Sequence, residues 1–139
     1  MSTFGIAEIA KLSGLSIRQV EQAISREGMQ VKGKGRPRQF ETADAFNFCV
    51  IGAMRRLGID WKRSVVGSTA FPWPISDAIE INEEFFLLTP LDDDGSFDID
   101  LVRPKQIAER LKSFKTSAGI LIDANAIAKR IETFARKRR

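Results

Sequence analysis

Apolar positions recur at helical spacing through most of the first sixty residues. Ile6, Ile9, Ala10 and either Leu12 or Ser13 lie on one face, and Gly14 then interrupts the pattern. A left-handed turn residue is most easily supplied by glycine, so the spacing predicts a first helix ending near Ser13. Ser16 with Gln19 three residues on has the spacing of a capping box, which starts a second helix. Ile17, Val20 and Ile24 form its expected buried stripe, leaving Arg18, Gln19, Gln22, Ser25 and Arg26 outward. Gly28 ends that helix. In "MQVKGKGRPRQF", Met29 and Val31 alternate with Gln30 and Lys32 around a tip of turn residues, which predicts a short hairpin. Thr42 is the expected cap of a third helix from about Ala43 to Leu57. Its stripe is Phe46, Cys49, Val50, Ala53, Met54 and Leu57, widened by Phe48 and Ile51. A helix so apolar around its circumference is covered on more than one side. Gly58 ends it.

The pattern changes after Asp60. "DWKRSVVG" fits a short helix, and "FPWPIS" an extended connector, because each proline restrains itself and its predecessor. "EFFLLTPL" and "SFDIDLV" read as strands joined at "DDDG", where Asp94-Gly95 signals a tight hairpin. In the second strand, Phe97, Ile99 and Leu101 alternate with Asp98 and Asp100, predicting one wet face. A helix over 104–114 follows, with Pro104 in its first turn and Ile107, Ala108, Leu111 and Phe114 inward. "GILI" fits a third strand. Asp123 caps a last helix carrying Ala124, Ile127, Ala128, Ile131, Phe134 and Ala135 on one face, and the chain closes on the basic run "RKRR".

Composition narrows the chemistry. The 139 residues contain no histidine, no tyrosine and one cysteine. Ser-His-Asp and Cys-His catalysis, an internal disulfide and zinc sites built from several His or Cys ligands are therefore excluded. No constellation of nucleophile, base and orienting group suggests an enzyme, and no cofactor or metal is expected. "DDDGSFDID" does not fit a calcium loop: counting back from Gly95 puts Pro90 at the first ligand position, and no Glu closes the loop. The longest apolar run, Phe48 to Met54, is too short to span a membrane, and the N-terminus lacks an export signal. A cytoplasmic, nucleoid-associated protein is expected.

Charge falls in blocks. Lys and Arg total 22 against 18 Asp and Glu, a net +4. Residues 76–101 hold nine acids and no base, whereas residues 102–139 hold eleven bases and three acids. Two basic ends around an acidic middle point to a polyanionic partner, with one surface kept off it.

The spacing in residues 6–26 gives that partner a candidate site. Ala10 lets two helices approach, Gly14 makes the turn, Val20 locks the second helix on the first, and Leu15 plugs the junction. The second helix then presents Arg and Gln side chains, which pair with guanine and adenine edges in a major groove. A basic hairpin directly follows, in the order a winged arrangement needs. With these features, residues 5–60 resemble the winged helix-turn-helix of MerR-family transcriptional regulators. "IAEIAKLSGLSIRQV" is similar to its first two helices, "RQF" followed by Asp44 to the end of its wing and the next helix, and "RRLGI" to that helix's exit. The resemblance implies that Arg18 faces DNA on the recognition helix and that Arg36 and Arg38 of the wing contact phosphates. The sequence departs from the family in carrying Glu21 and Gln22 where an Arg-Tyr pair is usual. It has one extra residue before Gly28, lacks the long dimerisation helix, and its lone Cys49 falls within a core stripe. These departures argue against metal sensing by DNA untwisting.

The expectation is thus an α+β protein: an N-terminal winged helix-turn-helix over 1–60, a connector over 61–83, and a small β-β-α-β-α C-terminal domain over 84–139 that serves dimerisation or partner binding. The expected function is a sequence-specific, homodimeric double-stranded DNA-binding transcriptional regulator. Ser16, Arg18, Gln19, Gln22 and Arg26 are its candidate groove residues, and Lys32, Lys34, Arg36 and Arg38 its backbone contacts. A phage-type excisionase or terminase small subunit, or a winged-helix protein adaptor that binds no DNA, are the alternatives.

Overall fold

The computed structural model describes residues 2–69, 86–90, 100–113 and 118–138. Helix and strand are mixed, as the α+β expectation requires. The chain forms two compact units. One joins Met1–Thr69 to Ile127–Arg139, and the other is Ala70–Ala126. This division differs from the expected one: the greater part of the C-terminal helix belongs with the N-terminal residues, and so do residues 61–69 of the segment read as a connector.

The first unit is built around one apolar helix. Helix α1 (Ile6–Ser13) stops where Gly14 takes the left-handed conformation, φ 77°, and its N–H donates to the Ala10 carbonyl at 3.0 Å. Helix α2 (Ile17–Ser25) begins on the expected capping box. The Gln19 N–H donates to Ser16 Oγ at 3.0 Å, and the Ser16 N–H donates to Gln19 Oε1 at 2.9 Å. Leu15 and Val20 are buried at this corner, as expected. Ile17 is not: it is 44% exposed, because the first turn of α2 lies at the surface and the small Ala23 completes the inward stripe with Val20.

Helix α3 (Thr42–Arg56) buries Phe46, Phe48, Cys49, Val50, Ile51 and Met54. These residues point in too many directions for one neighbour to cover. Helix α1 packs on α3, as does helix α4 (Trp61–Thr69), the helix expected from "DWKRSVVG". Two expectations for α3 are corrected. Thr42 is already helical, and Glu41 occupies the N-cap. Leu57 is 59% exposed, since the helix ends one residue earlier and Ile59 turns into the core in its place. Strands β1 (Thr3–Phe4) and β2 (Phe40–Glu41) pair antiparallel beside this core, with Phe4 opposite Phe40. The Phe40 and Phe48 rings meet edge to face, centroids 5.7 Å apart.

Helices α1 and α3 approach closely at Gly52. A methyl group there would overlap the Ser13 carbonyl oxygen, so α1 and α3 touch backbone to backbone. Ser13 itself is fully buried; its Oγ donates to the Ile9 carbonyl at 2.7 Å and accepts from the Leu15 N–H at 3.2 Å.

In the second unit, β3 (Phe86–Pro90) is the central strand of an antiparallel sheet. It lies between β4 (Asp100–Val102) and β5 (Gly119–Asp123). Leu88 pairs with Asp100 on one side and with Leu121 on the other. A short 3-10 turn (Pro104–Gln106) leads into helix α5 (Ile107–Ser113). The inward face expected for this helix is weaker than its sequence suggests. Ile107 and Leu111 are half-buried and Ala108 is exposed, because only seven residues are helical and none becomes buried. "FPWPIS", "DDDG", Phe97, Asp98, Ile99 and Phe114 lie outside the described residues.

Helix α6 (Ala124–Lys137) starts where Asp123 Oδ1 accepts from the Ala126 N–H at 3.0 Å, the expected cap. Ile127, Ile131 and Ala135 form its buried stripe. Its far end is clasped to the N-terminus of the chain. Arg138 Nη1 donates to both Glu8 oxygens at 2.8 and 2.9 Å, Nη2 donates to the Thr3 carbonyl, and the guanidinium lies 4.7 Å from the Phe4 ring centre. Phe134 meets Phe4 at 6.4 Å. The Gly5 N–H, with Arg138 behind it, holds the Glu8 carboxyl below the usual carboxylate range against the opposing effect of partial burial.

Gly52→Ala tests this packing. The added methyl must push α1 from α3, and overpacking a dense core costs about 1–3 kcal/mol. Urea unfolding of the variant is expected to show a loss in that range with an unchanged m-value. An unaltered midpoint would mean that α1 and α3 are further apart.

Candidate nucleic-acid interface

The segment between α2 and α3 is held by one side chain. Asp44 is 2% exposed and lies in the first turn of α3. Its Oδ1 accepts from the Lys32 N–H at 2.8 Å, and its Oδ2 accepts from the Gly33 N–H and the Glu41 N–H, each at 2.9 Å. A carboxylate with three amide donors satisfies its own burial and, at about 1.5–3 kcal/mol for each bond to a charged group, outweighs the entropy of a short loop. The N-terminal end of the helix also favours a negative charge at this place. Both ends of the 33–41 loop are thereby fastened to the helix that forms the core.

Between these anchors the chain turns tightly. The hairpin expected over 29–40 is reduced to one bridge, Lys34 with Gln39, closed by a Gln39 N–H to Lys34 O bond of 2.9 Å. Residues 29–33 form no strand, because the amides of Lys32 and Gly33 are spent on Asp44. Met29 is buried and anchors the exit from α2, its N–H donating to the Ala23 carbonyl at 2.9 Å.

The candidate side chains divide into two sets. Arg18 on α2, Arg26 at its C-cap, and Lys34 and Arg36 on the loop are exposed, and none makes an ion pair or a side-chain hydrogen bond among the described residues. Gln22 is half-buried on the outward side of α2. The others have structural duties. Ser16 Oγ and Gln19 Oε1 are used in the capping box. Arg38 is exposed, but its Nη1 donates to the Gly33 carbonyl at 2.9 Å, folding the guanidinium back over the loop. Lys32 is half-buried and contributes its backbone N–H to Asp44.

Three features of this region escape the sequence reading. Asp44 carries a signal only as an acid at a helix start. Gly52 is visible as a glycine amid large apolar residues. The Arg138–Glu8 pair joins residues 130 positions apart and leaves no local trace. Cys49 lies in the core beside Arg130 of α6. Burial pushes its thiol up, and the neighbouring guanidinium opposes the shift. Among the described residues no cluster of three acidic or thiol side chains could hold a metal, and no helix is long and apolar enough to cross a membrane.

Comparison of the whole chain with protein-family models and with curated proteins finds no match.

Asp44→Asn is expected to cost about 2–3 kcal/mol. An amide can replace Oδ2 as acceptor but turns an NH2 group toward the Lys32 N–H, leaving that donor unsatisfied. Thermal unfolding should show the loss, and amide exchange at Lys32 and Gly33 should accelerate more than exchange within α3. Equal exchange in variant and wild type would remove Asp44 from its role.

Proposed function

We propose that this protein binds double-stranded DNA sequence-specifically as a transcriptional regulator of MerR-like winged helix-turn-helix type, with α2 entering the major groove and the 34–38 loop lying on the backbone. The observation that carries this reading is the set of four exposed cations, Arg18 on α2, Arg26 at its C-cap, and Lys34 and Arg36 on the loop. They belong to one compact unit and lack protein partners among the described residues. Phosphate neutralisation supplies most of the affinity of such surfaces, and bidentate contacts to base edges supply the specificity.

The side-chain geometry supports a narrower division of roles than the sequence does. Reading adenine with Gln needs both its oxygen and its nitrogen, and Gln19 has its oxygen committed to Ser16. Base reading therefore falls to Arg18, Gln22 and Arg26, with the Gln19 NH2 left to donate to a phosphate. Lys34 and Arg36 hold the backbone, and Arg38 stiffens the loop that presents them. A homodimer is the natural form, because two copies of α2 about 34–36 Å apart meet successive major grooves.

Selection of bound sequences from a random duplex pool, followed by titration of the preferred site, tests this. Arg18→Ala is expected to cost about 1–3 kcal/mol at particular base pairs only. Arg36→Ala should weaken all sequences alike and make the log–log salt slope shallower by about 0.9. A pool that yields no enriched sequence, with equal losses for both variants on every duplex, would contradict sequence reading by α2.

A further inference from the structure

The outward side of α6 is a second cationic surface, separate from α2 and the loop. Its buried stripe of Ile127, Ile131 and Ala135 fixes which face looks out. Lys129, Arg136 and Lys137, at i, i+7 and i+8, lie on that opposite face and are all exposed. The only acid in the helix, Glu132, stands 4.0 Å from Arg136, with both side chains about two-thirds exposed, so the pair contributes little and leaves Arg136 available. The other nearby cations are occupied: Arg138 holds Glu8, and Arg130 lies beside the Cys49 thiol.

We infer that this face of α6 binds the phosphate backbone of nucleic acid. The two ends of the stripe, Lys129 and Arg136–Lys137, are two helical turns apart. That is about 10 Å at 1.5 Å per residue, the axial span of roughly three phosphate steps along one strand. A membrane surface is the poorer occupant. A helix lying on lipid inserts its apolar face, and the apolar face of α6 is buried against its own unit. The exposed face offers charge without aromatic or large aliphatic side chains, which suits a strand of phosphates and gives no base selectivity. The Arg138 clasp holds the last turn of α6 in place, so the cations are presented on a fixed scaffold.

The inference rests on the DNA-binding reading only for the identity of the polyanion, and the two can fail separately. The test is fluorescence anisotropy of the full chain with a labelled duplex of arbitrary sequence, over about 50–200 mM salt. Loss of two phosphate contacts in Lys129→Gln/Lys137→Gln should make the log–log slope shallower by about 1.8 and weaken binding more than tenfold near 0.1 M salt, whatever the sequence. Lys129→Arg/Lys137→Arg should restore both, which separates charge from any effect on folding. An unchanged slope in the glutamine variant, while Arg18→Ala/Arg36→Ala loses binding, would overturn the inference and leave the proposed function intact. A loss in the glutamine variant alone, with Arg18→Ala/Arg36→Ala binding as wild type, would uphold it and contradict the proposed function. Binding to phosphatidylserine vesicles but not to the duplex would overturn both.

Discussion

One buried carboxylate determines how the basic loop is presented. A charged group is brought out of water only when hydrogen bonds replace its hydration, and three backbone amides do this for Asp44. Two of the amides, of Lys32 and Gly33, belong to the segment entering the loop and one, of Glu41, to strand β2 leaving it. Phe40 is the one buried apolar side chain of the loop, packed on Phe48, and the rest of the loop is held to α3 by this polar contact. Helix α3 is in turn the most buried element of its unit, with α1 and α4 packed on it. The exposed cations of the loop and of α2 are therefore tied to one apolar helix through short, local connections.

The parts of the fold that were legible in the sequence are those whose causes lie within a few residues. Gly14 at the end of α1, the Ser16–Gln19 box and the Asp123 cap all act over three or four positions, and each occurs as read. The strand, strand, helix, strand, helix order after residue 84 follows from runs of apolar residues between turn signals, and the described elements have that order. The misreadings have long-range causes. Alternation in Met29–Lys32 suggested a strand, but amides bound to a carboxylate twelve residues away cannot form a ladder. Ile17 and Leu57 continue their stripes in sequence, yet each sits where its helix reaches the surface. The grouping of α6 with the N-terminal unit rests on Phe4, Phe134, Glu8 and Arg138, a contact between the two ends of the chain.

The candidate site was legible as chemistry but not as a division of labour. Nine polar or basic residues suggested an interface. Structural hydrogen bonds claim Ser16, part of Gln19 and part of Arg38. The same principle distinguishes the cations of α6. Arg138 and Arg130 are turned toward protein partners, while Lys129 and Lys137 are left to solvent. In both regions several cations remain exposed after the fold has taken what it needs, and the proposed polyanion is the partner such charge would attract.

The most direct measurement is an NMR titration of the full chain with duplex DNA, following every assigned backbone amide. The account predicts that the largest perturbations gather at Arg18–Arg26 and Lys34–Arg38, with no loss of the slow exchange of the Lys32 and Gly33 amides. Perturbations confined to Phe86–Asp123, with α2 and the loop unmoved, would contradict it.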